Sequence, residues 1–156
     1  MVVALMLGRE GSEGFPGKNT HPVLGRPMMS YPLLAAKSAT LVDEIYVSTD
    51  SDNIKNIAQE HGAKIIDRPL ELATKEALGE DAYVHGFQFI SEQLGETPEL
   101  MVLLFCNAPT ILAETIDEGV RVLLEDPSLD SAVTVSAYNM CKPSLKCHYV
   151  YIREHS

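Results

Sequence analysis

Two patterns of hydrophobic residues alternate along the chain. Short runs of β-branched and aliphatic residues, typical of buried strands, are separated by longer segments whose apolar residues recur every three or four positions. The predicted strands are residues 2–7, 44–48, 64–66, 100–105 and 131–136, and the predicted helices are residues 27–38, 52–61, 80–94 and 114–124. This alternation predicts an α/β fold with a mostly parallel sheet covered by helices on both faces.

In two of the predicted helices, the spacing of apolar residues indicates which face is buried. The second has a buried stripe of Ile54, Ile57 and Ala58. Ser51 or Asp50 is its predicted cap and Gly62 its predicted end. The fourth has an apolar face of Ile116, Val120, Leu123 and Leu124 and a polar face of Glu114, Asp117, Glu118 and Arg121. Near the chain end, residues 149–152 alternate in polarity and predict either an edge strand or a protruding arm.

A glycine-rich loop follows the first predicted strand directly. It occupies residues 8–19, with the sequence Gly-Arg-Glu-Gly-Ser-Glu-Gly-Phe-Pro-Gly-Lys-Asn. Glycine lets the backbone turn tightly and approach an anion, and Arg9 and Lys18 add positive charge. The loop fits neither the Walker pattern nor the spacing of dinucleotide-binding folds. Composition alone slightly favours an ordinary surface turn, whereas the position after a strand favours a phosphate site.

Charged side chains follow two further predicted strands at the same edge of the sheet. Asp50 and Asp52 come after the second strand and could hold a magnesium ion, although capping of the next helix is the favoured interpretation. Arg68 follows the third strand. It faces either a ligand or a carboxylate close to it in sequence, Asp67 or Glu71, and the sequence does not favour one over the other.

The loop after the fourth predicted strand is polar. Its sequence, Asn107-Ala108-Pro109-Thr110, offers an amide and a hydroxyl that could contact a base or a sugar. An alternative function for Thr110 is to cap the helix that follows. The five histidines have no companions spaced as a catalytic triad or a zinc site, and His85 is expected to pack against the core.

Composition limits the classes of partner. A chain of 156 residues is the size of one domain, and its 12 Lys and Arg against 22 Asp and Glu give a formal charge of −10. That charge opposes binding to nucleic acid or to an anionic membrane, so an anionic ligand would need a local cluster of cations. No apolar run is long enough to span a membrane, there is no signal-peptide pattern, and the three cysteines suit a reducing compartment. We expect a soluble, cytoplasmic protein.

Several segments in order resemble the acylneuraminate cytidylyltransferase (CMP-sialic acid synthetase) family. Residues 8–19 are similar to the family's Ala-Arg-x-x-Ser-Lys-Gly-Ile-Pro-x-Lys-Asn. The likeness continues, collinear over nearly the whole chain, through residues 24–28, 47–54, 62–63, 68–73 and 108–109. The resemblance implies a Rossmann-like, three-layer nucleotidyltransferase domain covering residues 1–156.

The resemblance also implies an activity and a set of site residues. The family transfers CMP from CTP to an acidic 2-keto-3-deoxy sugar, releasing pyrophosphate, with Mg²⁺ and as a homodimer. Arg9 and Lys18 would be the catalytic contacts to phosphate. The implied nucleotide-binding residues are Gly8, Arg9, Gly11, Ser12, Gly14, Lys18, Asn19 and Arg68, and the implied sugar or base loop is Asn107, Ala108 and Pro109.

The chain departs from the family pattern in three places. Glu13 stands where the family has a phosphate-binding lysine, and residues 105–111 replace a loop with glutamine and arginine. Relatives also carry a dimerisation arm and a metal-binding Asp-x-Asp segment further along, so we expect either a domain that lacks a C-terminal portion or a shortened relative. A second hypothesis is therefore a non-catalytic relative that binds nucleotide or sugar. A third, a glycosyltransferase, would use Asp50-Ser51-Asp52 as its Asp-x-Asp motif, but that lies early in the chain.

Overall fold

The central sheet begins with the first apolar run of the sequence. In the computed structural model, which describes residues 1–11, 15–136 and 146–152, six strands are ordered β5-β4-β1-β6-β8-β7. The strands are β1 (Val2–Gly8), β4 (Glu44–Thr49), β5 (Lys64–Asp67), β6 (Leu100–Phe105), β7 (Ser131–Ser136) and β8 (Lys146–Ile152). Strands β5, β4, β1 and β6 are parallel, and β8 is antiparallel to both of its neighbours.

Within the described residues, four helices cover the two faces of this sheet. They are α1 (Ser30–Ser38), α2 (Asp52–Glu60), α3 (Gly79–Leu94) and α4 (Ala113–Glu125). Successive residues of a strand point to opposite faces, so Ala4 and Met6 pack into the core under α1, α2 and α4, while Val3 and Leu5 pack under α3. The three-layer α/β architecture predicted from the sequence is confirmed, as are the five predicted strands to within a residue or two.

The last strand differs from the prediction. Residues 149–152 form neither an edge strand nor an arm, because β8 lies between β6 and β7 inside the sheet. An alternating pattern of four residues gives a strand but does not determine which strands pair with it. In the described part of the chain, no helix is long and apolar enough to cross a membrane.

The first helix begins three residues later than predicted. A short hairpin of β2 (Pro22–Val23) and β3 (Arg26–Pro27) occupies the sequence before it. Leu24 and Gly25 form its turn with φ of 48° and 82°, the left-handed pair of a tight hairpin. Because Pro27 pairs in this hairpin, it cannot begin the helix.

Helix α2 follows the prediction in its buried stripe and its end, but not in its cap. Gly62 has a φ of 84° and ends the helix. Ser51 occupies the cap position without a side-chain cap hydrogen bond. The Asp50 carboxylate instead accepts the backbone N–H of Glu10 at 3.2 Å, so the capping prediction was wrong for both residues.

Helix α4 has the predicted apolar face except at two positions. Leu124 is exposed, and Asp117, expected to face water, is buried. Asp117 Oδ2 accepts the backbone N–H and the hydroxyl of Thr40, both at 2.9 Å, and Oδ1 accepts the N–H of Leu41 at 2.9 Å. Thr110 does not cap this helix, whose cap position is occupied by Leu112.

Candidate functional site

A cleft of about 330 Å³ lies at the carboxyl edge of the parallel strands. This is the place where open α/β sheets bind ligands, because loops leaving neighbouring strands diverge there. Loops after β1, β5 and β6 contribute to it, together with the start of α3. It is lined by Leu7, Arg9, Lys18, Asn19, Arg68, Leu72, Thr74, Lys75, Ala77, Leu78, Gly79, Ala82, Phe105, Cys106 and Asn107.

The charge of the cleft is opposite to that of the chain. Four of its lining residues are cations, namely Arg9, Lys18, Arg68 and Lys75, and none of its described lining residues is acidic. The chain has only 12 Lys and Arg in total and a net charge of −10. Such a local concentration of cations attracts an anion with several charges. It is the cluster of cations that an anionic ligand would need on a chain with a negative net charge.

The loop after β1 brings Arg9, Lys18 and Asn19 to the cleft. Asn19 is buried and its Nδ2 donates to the Arg9 carbonyl at 3.4 Å, which closes the loop on itself. Gly17, with a φ of 71°, precedes the short 3₁₀ turn Lys18–Thr20 that carries Lys18. These three predicted nucleotide-binding residues therefore line one cavity. A second hollow of about 280 Å³ shares the same three residues.

The glycines of the loop have different surroundings. A Cβ on Gly8 would lie 3.1 Å from Ile54 Cδ1 and 3.3 Å from Cys106 Sγ, so this position packs closely against α2 and against the first residue after β6. Gly11 is exposed, with nothing within 4 Å of a built Cβ. Ser12 and Gly14 lie outside the described residues, as does Glu13.

Arg68 faces the cleft and not the neighbouring carboxylates. It is buried, and its Nε donates to the Ser48 hydroxyl at 3.2 Å while Nη2 donates to the Ser48 carbonyl. Asp67, the alternative partner, pairs with Lys55 at 2.8 Å. Burial lowers the pKa of the Arg68 guanidinium, and the charge of Asp50 opposes that shift. A buried cation held in this way favours an anionic or strongly accepting ligand.

The loop after β6 reaches the cleft through its first two residues, Cys106 and Asn107. Asn107 lines it and is exposed, whereas Ala108 and Pro109 are half-buried and do not line it. The Ala108 N–H donates to the Phe105 carbonyl at 3.2 Å, which turns the chain away from the cleft. Of the three residues in the predicted sugar or base loop, only Asn107 is therefore placed to contact a ligand.

Sequence reasoning missed two features of the cleft. Residues 74–79, between β5 and α3, form one wall, and Arg9 Nη1 donates to the Thr74 carbonyl at 2.7 Å. Cys106 lies in the floor with its Sγ 3.3 Å from the Leu7 carbonyl, and burial raises the pKa of its thiol to about 12. Residues 74–79 have no motif, because only the tertiary fold brings them to the loop after β1. Cys106 directly follows a strand end, and the rule that parallel strands share an edge could have placed it.

The described residues do not form a metal site. They contain no group of three His, Cys, Asp or Glu side chains close enough to share one. Asp50 is occupied with the Glu10 N–H, and Asp52 is exposed and 3.4 Å from Lys55. Mg²⁺ requires near-octahedral oxygen coordination, and these two carboxylates do not form such a site together.

The fold and the cationic cleft at its carboxyl edge define an α/β nucleotide-binding type of domain. The cytidylyltransferase family model matches residues 3–147, and the chain belongs to this family. The family match supports the cytidylyltransferase hypothesis over the glycosyltransferase hypothesis. The resemblance found in the sequence is confirmed.

Several known proteins similar to the chain are named as cytidylyltransferases. The N-acylneuraminate cytidylyltransferase of Escherichia coli O18:K1:H7 (strain RS218 / NMEC) is 28% identical over 143 residues, which are 92% of this chain and 32% of that protein. The 8-amino-3,8-dideoxy-manno-octulosonate cytidylyltransferase of Shewanella piezotolerans is 37% identical over 127 residues, 81% of this chain and 49% of that protein. The chain therefore spans about a third of the length of the first relative and about half of the length of the second.

A solved structure shares the fold. The CMP:2-keto-3-deoxy-manno-octonic acid synthetase, solved in complex with CTP, superposes with a TM-score of 0.73 at 19% identity. The match covers 97% of this chain and 73% of that protein. At this identity the likeness establishes the Rossmann-like nucleotidyltransferase fold.

Proposed function

We propose that the chain is the nucleotidyltransferase domain of an enzyme that transfers CMP from CTP to an acidic 2-keto-3-deoxy sugar. The observation that carries the proposal is the cleft with four cations and no described acidic lining residue, at the ligand-binding edge of a family member's sheet. A triphosphate and a sugar carboxylate are both anions, so such a cleft is suited to the two substrates at once.

The proposed reaction is a displacement at the α-phosphate of CTP. The anomeric hydroxyl oxygen of the sugar bonds to the α-phosphorus, the bond to the pyrophosphate oxygen breaks, and the hydroxyl proton passes to solvent. Negative charge grows on the departing pyrophosphate, and fixed cations stabilise it. Arg9 and Lys18, on the loop after β1, are proposed for this task, with the backbone of Gly8 and Gly11 near the phosphates.

The remaining site residues have proposed roles in holding the nucleotide. Asn19 would contact it from the 3₁₀ turn, and Arg68 would act at the cytosine or ribose end of the pocket, supported by its burial beside β4. Asn107 would contact the base or sugar. Roles for Ser12 and Gly14 remain predictions from the family resemblance.

The acceptor is proposed to be a nonulosonic or octulosonic acid, with an N-acylneuraminate-like sugar as the first candidate. Support comes from relatives named for N-acylneuraminate and for 8-amino-3,8-dideoxy-manno-octulosonate, both sugar acids. Magnesium is expected from the resemblance, but the described carboxylates do not form a site for it, and no step above depends on it. A homodimer and a cytoplasmic location are also proposals. Light scattering after gel filtration tests the homodimer.

The decisive experiment measures pyrophosphate release from CTP, with magnesium, in the presence of a panel of keto-sugar acids. We expect turnover with at least one acid and a loss of about tenfold or more in kcat/KM for Arg9→Gln and Lys18→Gln. Lys37→Gln is the matched control, because Lys37 is exposed near the end of α1 and does not line the cleft. CTP binding without turnover for any acid would support the non-catalytic alternative.

A further inference from the structure

The second hollow, of about 280 Å³, lies between the loop after β1 and the start of α2. Ser51 and Asn53 line it from the side of α2. Arg9, Lys18 and Asn19 line both this hollow and the cleft. A phosphate group held by these three shared residues therefore has space on two sides, the cleft on one and the hollow on the other.

Ser51 brings an unpaired hydroxyl to the hollow. The residue is 3% exposed and occupies the cap position of α2, but its side chain makes no cap hydrogen bond. Within the described residues no other hydrogen bond involves this hydroxyl. The described hydroxyls that are sealed from solvent without a partner are those of Ser30 and Thr134, so the Ser51 hydroxyl is open to the hollow. Because hydroxyls of buried residues are normally paired, this one indicates a ligand that accepts a hydrogen bond.

The first turn of α2 places backbone donors beside this hydroxyl. The Ser51 carbonyl accepts the N–H of Lys55 at 3.0 Å, so the N–H groups of residues 52–54 precede the first hydrogen bond of the helix. Such groups carry partial positive charge and favour an anion. The Ser51 hydroxyl and the start of the helix therefore form one wall of donors.

The charged groups around the hollow also favour an anion. Arg9 and Lys18 are cations, and Glu10 is the one acid in the described lining. Asp50 and Asp52 are close in sequence but do not line the hollow. The Asp50 carboxylate accepts the Glu10 N–H at 3.2 Å, and the Asp52 side chain is 94% exposed. Two cations and a helix start against one exposed carboxylate leave a net attraction for negative charge.

The two spaces suit different parts of a nucleotide. The cleft has apolar side chains that a base and a ribose can pack against, among them Leu7, Leu72 and Phe105. Seven of the ten described residues that line the hollow have polar side chains, and none of the ten is aromatic. The hollow is therefore suited to phosphate oxygens and not to a base.

We propose that the hollow binds pyrophosphate and that the Ser51 hydroxyl donates a hydrogen bond to it. The inference rests on the proposed function and deepens it. The base and ribose of CTP occupy the cleft, and the two phosphates that leave as pyrophosphate extend past Arg9 and Lys18 into the hollow. Ser51 is then a binding residue for the leaving group, although it has no contact with the base.

Calorimetric titration of the full chain with inorganic pyrophosphate, CTP and CMP tests the proposal. Ser51→Ala is expected to weaken the binding of pyrophosphate and of CTP by about tenfold, the loss typical of one hydrogen bond to a charged group, and to leave CMP binding unchanged. Asn56→Ala is the matched control, because Asn56 is exposed on the same helix and does not line the hollow. Thermal melting checks that each variant is folded.

Glu10→Gln tests the same site with the opposite sign. Glu10 is exposed, so the substitution is not expected to disturb the fold. Removal of its negative charge should strengthen pyrophosphate binding by about threefold, the size of effect expected between exposed charges. Unchanged or weaker pyrophosphate binding in Glu10→Gln would show that the anion does not occupy the hollow.

The alternative outcomes separate this inference from the proposed function. Unchanged pyrophosphate affinity in Ser51→Ala would overturn the inference, and so would an equal loss for pyrophosphate and CMP, which indicates a structural effect. A loss for pyrophosphate without a loss for CTP would overturn the claim that the nucleotide reaches the hollow. If the wild type binds pyrophosphate through Ser51 but turns over no sugar acid, the enzymatic proposal fails and the binding site stands. Turnover by a wild type that does not bind pyrophosphate would overturn the inference alone.

Discussion

Arg68 is fixed to Ser48 by two hydrogen bonds, one from Nε to the hydroxyl at 3.2 Å and one from Nη2 to the main-chain carbonyl. Both residues are buried, and Ser48 lies one residue before the end of β4. The guanidinium is therefore oriented by the sheet itself and not by a flexible loop. Because Nε and Nη2 are held by Ser48, the orientation of the whole guanidinium is set by this contact. Ser48 therefore positions the cation that lines the cleft.

Ser48→Ala tests this positioning. The variant loses the hydroxyl acceptor while the carbonyl remains, and we expect a loss of about 1–2 kcal/mol in unfolding free energy, because a buried donor of a charged group is left unpaired. The affinity for CTP should fall as well, measured by titration. Ser48→Thr keeps the hydroxyl acceptor and should restore the affinity for CTP, but its added methyl group at this fully buried position has a packing cost, so the unfolding free energy should recover only in part. Wild-type CTP affinity in Ser48→Ala would show that Arg68 does not depend on Ser48.

Asp117→Asn tests the carboxylate between α4 and the loop after α1. Asn has one carbonyl oxygen in place of two carboxylate oxygens, so it cannot accept all three hydrogen bonds from Thr40 and Leu41. We expect a loss of about 1–3 kcal/mol at neutral pH, measured by denaturant unfolding. Glu118→Gln, on the exposed side of the same helix, is the control and should change stability little.

The effect of Asp117 should depend on pH in a defined direction. Burial raises the pKa of this carboxyl, but the hydrogen bonds from Thr40 and Leu41 and the charge of Arg121 together lower it. A carboxyl with a lowered folded-state pKa stabilises the fold above its unfolded pKa and loses that contribution as the pH falls through the folded value. The difference between wild type and Asp117→Asn should therefore shrink from neutral pH towards pH 3. A constant difference over this range would contradict the prediction.

Gly86→Ala tests the packing of α3 on the sheet. A Cβ at this position would lie 2.7 Å from Cδ2 of Leu5, which is fully buried in the central strand. Alanine improves helix propensity by about 1 kcal/mol, but a clash inside a packed core costs about 1–3 kcal/mol, and we expect net destabilisation in thermal melting. Gly79→Ala meets nothing within 4 Å and serves as the control.

A second substitution identifies the cause of the Gly86 effect. Leu5→Ala removes the atoms that the new methyl group would contact, although by itself it leaves a cavity. If the clash is with Leu5, the loss of stability in the double variant should be smaller than the sum of the losses in the two single variants. Additive losses would show that Gly86 acts through something other than its contact with Leu5.

The sequence determines local elements better than it determines their partners. The apolar runs of β1 and β6 and the stripe of α2 were predictable, because burial of a strand or helix face requires those patterns. The burial of Asp117 was not, since its donors lie in a loop 76 and 77 residues away. The position of β8 was missed for the same reason.

In the candidate site too, some residues could be placed from the sequence and others could not. Arg9, Lys18, Asn19 and Arg68 follow strand ends, so the rule that parallel strands share an edge brings them together. Lys75 also lines the cleft but lies in a loop without a motif, next to Thr74, whose carbonyl accepts a hydrogen bond from Arg9. Ala108 and Pro109 sit at a strand end as well, but a turn at Phe105 directs them away.

Cys106 offers a final test, through thiol reactivity. Burial raises the pKa of its thiol from an ordinary value of 9.0 to about 12, although the thiol lines the cleft. Only the thiolate reacts with alkylating reagents, so Cys106 should be protected in the folded protein at pH 8 and labelled rapidly in denaturant. Cys141→Ser and Cys147→Ser remove the other two thiols from the assay.

The raised pKa of the Cys106 thiol also makes the stability of the fold depend on pH in the alkaline range. Above pH 9 the unfolded chain ionises this thiol while the folded chain does not, so stability is full below pH 9 and falls between pH 9 and about 12. Cys106→Ala should lose this part of the alkaline dependence in denaturant unfolding at pH 7 and pH 10. Rapid labelling of Cys106 in the native state at pH 8 would contradict this prediction. It would show that the thiol is open to solvent.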